Sequence, residues 1–106
     1  MKNVAPELPD EVTRRLVAEF QPEQIILFGS QVWGTPDESS DIDLLVIISH
    51  SDATPAERAL RAYRCLGALK FPIDVLVKTR AEVERFRRVP AALERAILDR
   101  GEVLYG

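Results

Sequence analysis

Two short stretches decide the fold: Gln24-Ile25-Ile26-Leu27-Phe28-Gly29-Ser30 and, after a polar interval ending at Ser40, Asp41-Ile42-Asp43-Leu44-Leu45-Val46-Ile47-Ile48. Gln24 to Phe28 is an apolar run between breakers, the signature of a buried strand. Ile42 to Ile48 is the strongest strand candidate in the chain, opened by Asp41 and closed by Ser49-His50-Ser51. Between them, Gly29 to Ser40 is rich in Gly, Ser, Thr, Pro and Asp and reads as a loop. That link holds no full helix of its own, so an antiparallel pair is the simplest connection.

The flanks extend this pair into a layered domain. Val12, Leu16, Val17 and Phe20 form an apolar stripe over a helix from Asp10 to Phe20, ended by Gln21-Pro22. Thr54-Pro55-Ala56-Glu57 combines an N-cap, a proline at the first helical position and a capping box. The helix it starts extends to about Leu69, with Leu60, Tyr63, Leu66 and Gly67 on one face. Ile73 to Val77 is a third strand. It follows a helix long enough for a crossover, so it runs parallel to the second strand. A short helix over 80–87, a last helix from Pro90 to Arg100 and an edge strand Val103-Leu104-Tyr105 complete the order. Leu93, Ile97 and Leu98 are the inward residues of the last helix. The expected class is α/β (α+β): a mixed β-sheet of three to four strands packed against helices.

The 106 residues fit one domain, 1–106. Hydrophobic residues make up 46% and charged residues 29%, ordinary values for a globular chain and contrary to disorder. A lone cysteine, Cys65, excludes an internal disulfide framework and a cysteine-based zinc cage, and fits a reducing cytoplasm. Apolar runs fall short of the roughly 18 residues of a membrane span. The start lacks a signal-peptide core. With a net charge of −3 the chain is not an electrostatic nucleic-acid binder. Residues 78–106 are locally basic, 7 Lys/Arg against 5 Asp/Glu, largely through Arg85, Arg87 and Arg88. This segment reads as a solvated helix face, with an anion or partner contact as the sharper alternative.

Topology brings chemistry-bearing residues together. With strands one and two antiparallel and strands two and three parallel, the end of the first lies beside the starts of the other two. Those three places hold Gly29-Ser30, Asp41-Ile42-Asp43 and Asp74. Asp41 and Asp43 share a face because side chains alternate along a strand. Three carboxylates on one sheet edge repel, and a hard divalent cation, Mg²⁺ or Mn²⁺, removes the conflict. Two such ions form the usual clamp for displacement at phosphorus. Gly29 permits close approach of a ligand to the backbone, and Ser30 adds a hydroxyl and an N–H donor.

The motif Leu27-Phe28-Gly29-Ser30, Gly34, then Ser40-Asp41-Ile42-Asp43-Leu44-Leu45-Val46 resembles the minimal nucleotidyltransferase family of the DNA polymerase beta superfamily. Its pattern is Gly-Ser, ten residues, Asp-x-Asp. The tail from Ala96 to Tyr105 also resembles the way these small proteins end, so the likeness spans roughly 12–105. The resemblance implies a polymerase beta-like nucleotidyltransferase fold. It implies that Asp41 and Asp43 bind two metal ions, and that Asp74 binds the catalytic one and helps activate an attacking hydroxyl. Gly29 and Ser30, with Ser40, would contact the triphosphate of ATP. The implied reaction is attack of a hydroxyl on the α-phosphate with loss of pyrophosphate. Small members commonly pair with an all-helical HEPN-domain toxin, acting as antitoxin by transferring AMP to a toxin tyrosine. That implies a hetero- or homo-oligomer.

The chain departs from the family pattern at Gln31 and Trp33, where arginines are frequent. Trp33 could stack on a base, and Arg58, Arg61 or Arg64 could supply charge. The departure keeps two alternatives open: a noncatalytic antitoxin or nucleotide-binding subunit, and a small-molecule nucleotidyltransferase with a partner subunit. His50, Asp37 and Glu38 read as loop residues, and Cys65 as a core or boundary residue.

Overall fold

The computed structural model describes residues 7–29, 42–67, 73–89 and 91–106. The elements run α1 (Glu7–Phe20), β1 (Gln24–Phe28), β2 (Ile42–Ile48), α2 (Pro55–Cys65), β3 (Ile73–Thr79), α3 (Arg80–Arg87), α4 (Leu93–Arg100) and β4 (Glu102–Tyr105). The four strands form one sheet in the order β3-β2-β1-β4. β1 pairs antiparallel with β2 and β2 pairs parallel with β3, as expected, and β1 also pairs antiparallel with β4. Among the described residues no helix is long and apolar enough to cross a membrane.

Alternation along the strands builds two cores. Ile42, Leu44, Val46 and Ile48 face α1 and α2 together with Ile73, Val75 and Val77, and meet Val12, Leu16, Ala62 and Leu66. Leu45 and Ile47 face the other way, where Ile26 and Phe28 join Val83 of α3 and Ile97 of α4. β2 is thus apolar on both faces because it is covered on both. Each fully buried Leu or Ile contributes about 1.5–3 kcal/mol. α1 stops at Gln21, whose φ of +48° is a left-handed exit, before buried Pro22.

Helix α2 departs from its expected face. Leu60 and Tyr63 are 50% and 44% exposed, while Arg58, Ala62 and Leu66 point inward. The buried stripe therefore follows the i, i+4 spacing of 58, 62 and 66, through an arginine and an alanine that apolar periodicity does not count. Arg58 is held by a bidentate contact to Glu82 at 2.9 and 3.0 Å and donates to the Val77 carbonyl at 2.8 Å. Glu82 also accepts the Thr79 N–H at 2.9 Å, closing the capping box of α3. This contact holds the Glu82 carboxyl at about 2, well below its usual 4.5, because the Arg58 hydrogen bonds favour the ionised form. In α4 Ile97 is buried and Leu98 half-buried as expected, but Leu93 is exposed, as the first residue of a helix capped by Ala92.

Candidate active site

The site lies where β1 ends and β2 and β3 begin. Phe28 pairs with Asp43 across the antiparallel ladder, and Asp43 pairs with Asp74 across the parallel one. Register partners on neighbouring strands share a face about 4.8 Å apart. Asp43 and Asp74 lie on the face carrying Leu45 and Leu76, the α3/α4 side, at the second position of each strand. Asp43 is half-buried and Asp74 exposed. Ser30, Ser40 and Asp41, with Gln31 and Trp33, lie outside the described residues.

Gly29 completes the corner. Its φ is +86°, a backbone state that favours glycine. A Cβ there would overlap Oδ2 of Asp43 and lie 3.1 Å from its Cγ. The Asp43 carboxylate therefore occupies the space that any other residue at position 29 would fill. The sequence signals both members of this contact, but not the contact itself.

Electrostatics argue that the arrangement is unfavourable by itself. Two carboxylates at register positions on adjacent strands repel one another when both are ionised. Like charges directly across a ladder destabilise a sheet. The donors are hard oxygens in adjacent register, which suits Mg²⁺ or Mn²⁺ rather than a soft metal. Among the described residues no group of three His, Cys, Asp or Glu forms a metal cage. The described share of the site is the Asp43–Asp74 pair.

Tyr63, which the sequence places on the core face of α2, proves to belong here. Its hydroxyl donates to Asp74 Oδ1 at 3.3 Å and accepts the Val75 N–H at 3.4 Å. The buried 58-62-66 stripe leaves position 63 turned toward the edge of β3, a signal available only once Arg58 is recognised as inward.

The arginines considered as sources of positive charge are engaged elsewhere or exposed. Arg58 is buried against Glu82, and Arg61 bonds Glu19 at 2.9 Å and lies 4.8 Å from the Phe20 ring. Arg64 is exposed in the last turn of α2. In the basic segment Arg87 pairs with Glu84 at 3.1 Å. His50 is exposed just past β2, at the opposite end of the strand from Asp43.

Against known proteins, the profile of the nucleotidyltransferase domain family matches residues 9–100. Among solved structures the fold is similar to a protein from Sulfolobus solfataricus described as a "putative nucleotidyltransferase". The TM-score is 0.61 at 23% identity, covering 74% of this chain and 70% of that one. No curated protein matches.

Proposed function

The chain belongs to the nucleotidyltransferase domain family, and from that premise we propose that it transfers a nucleoside monophosphate, AMP from ATP, to a hydroxyl acceptor with the help of Mg²⁺. The observation that carries the reading is the adjacent register of Asp43 and Asp74 with Gly29 opening against Asp43. Neighbouring carboxylates at a strand edge cost stability, and a cation-dependent phosphoryl chemistry gives them a use.

Asp43 and Asp74 would hold divalent metal, together with Asp41. Bound Mg²⁺ supplies charge neutralisation on the phosphates and lowers the barrier to displacement at phosphorus. Gly29, with Ser30 and Ser40, would cradle the triphosphate. Asp74 takes the proton of the attacking hydroxyl as its oxygen bonds to the α-phosphorus. The bond from that phosphorus to the bridging oxygen breaks, and pyrophosphate leaves with the electron pair. The protein's contribution is positioning and electrostatics rather than covalent chemistry.

The acceptor in this reading is a tyrosine of a HEPN-domain toxin, with this chain as the antitoxin of a cytoplasmic pair. Incubation of the full chain and its co-encoded partner with ATP and Mg²⁺, followed by intact-mass and peptide mass spectrometry, tests this. The expected result is an AMP adduct on a partner tyrosine that disappears in the Asp43→Asn and Asp74→Asn variants. Neutralisation of the partner without an adduct, unaffected by those variants, would establish the noncatalytic reading. Adducts on small hydroxyl compounds alone would establish the small-molecule one.

A further inference from the structure

We propose that Tyr63 is a positioning residue for Asp74, orienting its carboxylate toward divalent metal. The inference rests on the nucleotidyltransferase reading above and extends it to a residue on a different element.

β3 is an edge strand, with β2 on its inner side. Helix α2 covers the face of the sheet that carries Ile73, Val75 and Val77. Asp74 alternates to the opposite face. Tyr63 therefore reaches around the outer edge of β3 to contact it. Its phenol makes two bonds at once, accepting from the Val75 N–H and donating to Asp74 Oδ1. The first anchors the hydroxyl to the strand backbone, and the second fixes one carboxylate oxygen relative to that backbone.

Core packing does not account for the side chain. Tyr63 is 44% exposed and belongs to neither core cluster. An exposed aspartate ordinarily rotates freely about its terminal torsion. With Oδ1 held by Tyr63, Oδ2 is the carboxylate oxygen that remains for a metal, on a residue in register with Asp43. Carboxylate metal ligands are commonly oriented by such outer hydrogen bonds, and losing one weakens metal binding. The alternative role is protection of the sheet edge alone. Edge protection would not require the bond to Asp74, and it predicts no effect on metal affinity.

The experiment uses the full chain and Mn²⁺ as the probe, with free Mn²⁺ followed by electron paramagnetic resonance in the absence of nucleotide. Tyr63→Phe keeps the ring and removes only the hydroxyl, so the fold is retained. The expected result is an approximately threefold to tenfold weaker Mn²⁺ affinity, in the range of one net hydrogen bond. Amide exchange at Val75 is expected to accelerate. In transfer assays the apparent metal constant rises while the KM for nucleotide is unchanged. Wild-type affinity retained in Tyr63→Phe overturns the assignment alone. Wild-type protein that binds no Mn²⁺ overturns the metal reading of the site and this assignment with it. A nucleotide adduct on Tyr63 itself would make it an acceptor and also overturn the positioning role.

Discussion

Replacing Gly29 by alanine tests the geometry of the site most directly. Two costs arise at that position. The φ of +86° is open to glycine and costs an L-residue about 1–2 kcal/mol. The new methyl would also overlap the Asp43 carboxylate, with Cγ at 3.1 Å and Cβ at 3.4 Å leaving little room for a small adjustment. Forcing the aspartate off its rotamer costs about 0.5–1.5 kcal/mol more. The expected loss is about 2–3 kcal/mol by urea denaturation, which for a domain near this size lowers Tm by roughly 10–20 °C. Gly67→Ala is the internal control, because among the described residues a Cβ there meets only the Arg64 and Tyr63 carbonyls at 3.4 and 3.5 Å. A double-mutant cycle separates the two costs. In an Asp43→Ala background the collision is gone and the backbone strain remains, so Gly29→Ala becomes about 1 kcal/mol cheaper. A Gly29→Ala loss below about 0.5 kcal/mol, or a cycle with no coupling, would refute the reasoning.

Further outcomes follow from the same structure. Asp74→Asn relieves the repulsion with Asp43, so in the presence of chelator it stabilises the protein by about 0.5–1 kcal/mol while abolishing transfer and weakening Mn²⁺ binding; a destabilised apo variant would contradict this. The Glu82 carboxyl is lowered from 4.5 to about 2 by Arg58. Its contribution to stability is therefore complete above about pH 4.5 and lost as pH falls toward 2. The shift corresponds to at most about 3 kcal/mol, and partial exposure of Glu82 reduces this to about 1–2 kcal/mol. Glu82→Gln should lose about that much at pH 7 and converge on the wild type near pH 2 in thermal melts. Burial raises the Cys65 thiol above its ordinary pKa, so alkylation by iodoacetamide at pH 7.5 should be slow in native protein and rapid in urea.

The strands were legible because their signals are short, apolar and sharply bounded. Gln24–Phe28 and Ile42–Ile48 coincide with the expected limits, and the antiparallel and parallel pairings follow from connection lengths. The Asp43–Asp74 neighbourhood was legible for the same reason, since strand direction and position along each strand determine who faces whom. Helix α2 was less so. Its inward face is defined by Arg58, whose guanidinium is satisfied by Glu82 and the Val77 carbonyl from distant parts of the chain. No local pattern announces that a charged residue will be neutralised by a partner on α3. Once that face rotates, Leu60 and Tyr63 move outward, and the contact of Tyr63 with Asp74 becomes unreadable from periodicity. The expected roles of Ser30, Ser40 and Asp41 rest on the motif, because these residues lie outside those described.

The Arg58–Glu82 clasp ties the first turns of α2 and α3 to Val77 and Thr79 of β3, three and five residues along the strand from Asp74. At the rise of a β-strand those separations are about 10 and 16 Å. Anchorage and chemistry thus occupy opposite poles of the sheet. Substitutions at Gly29 and Asp43 leave untouched the clasp that secures the far end of the sheet. Hydrogen exchange should be slowest around Val77 and Thr79 and faster toward Ile73, the pole that carries the Asp43–Asp74 pair.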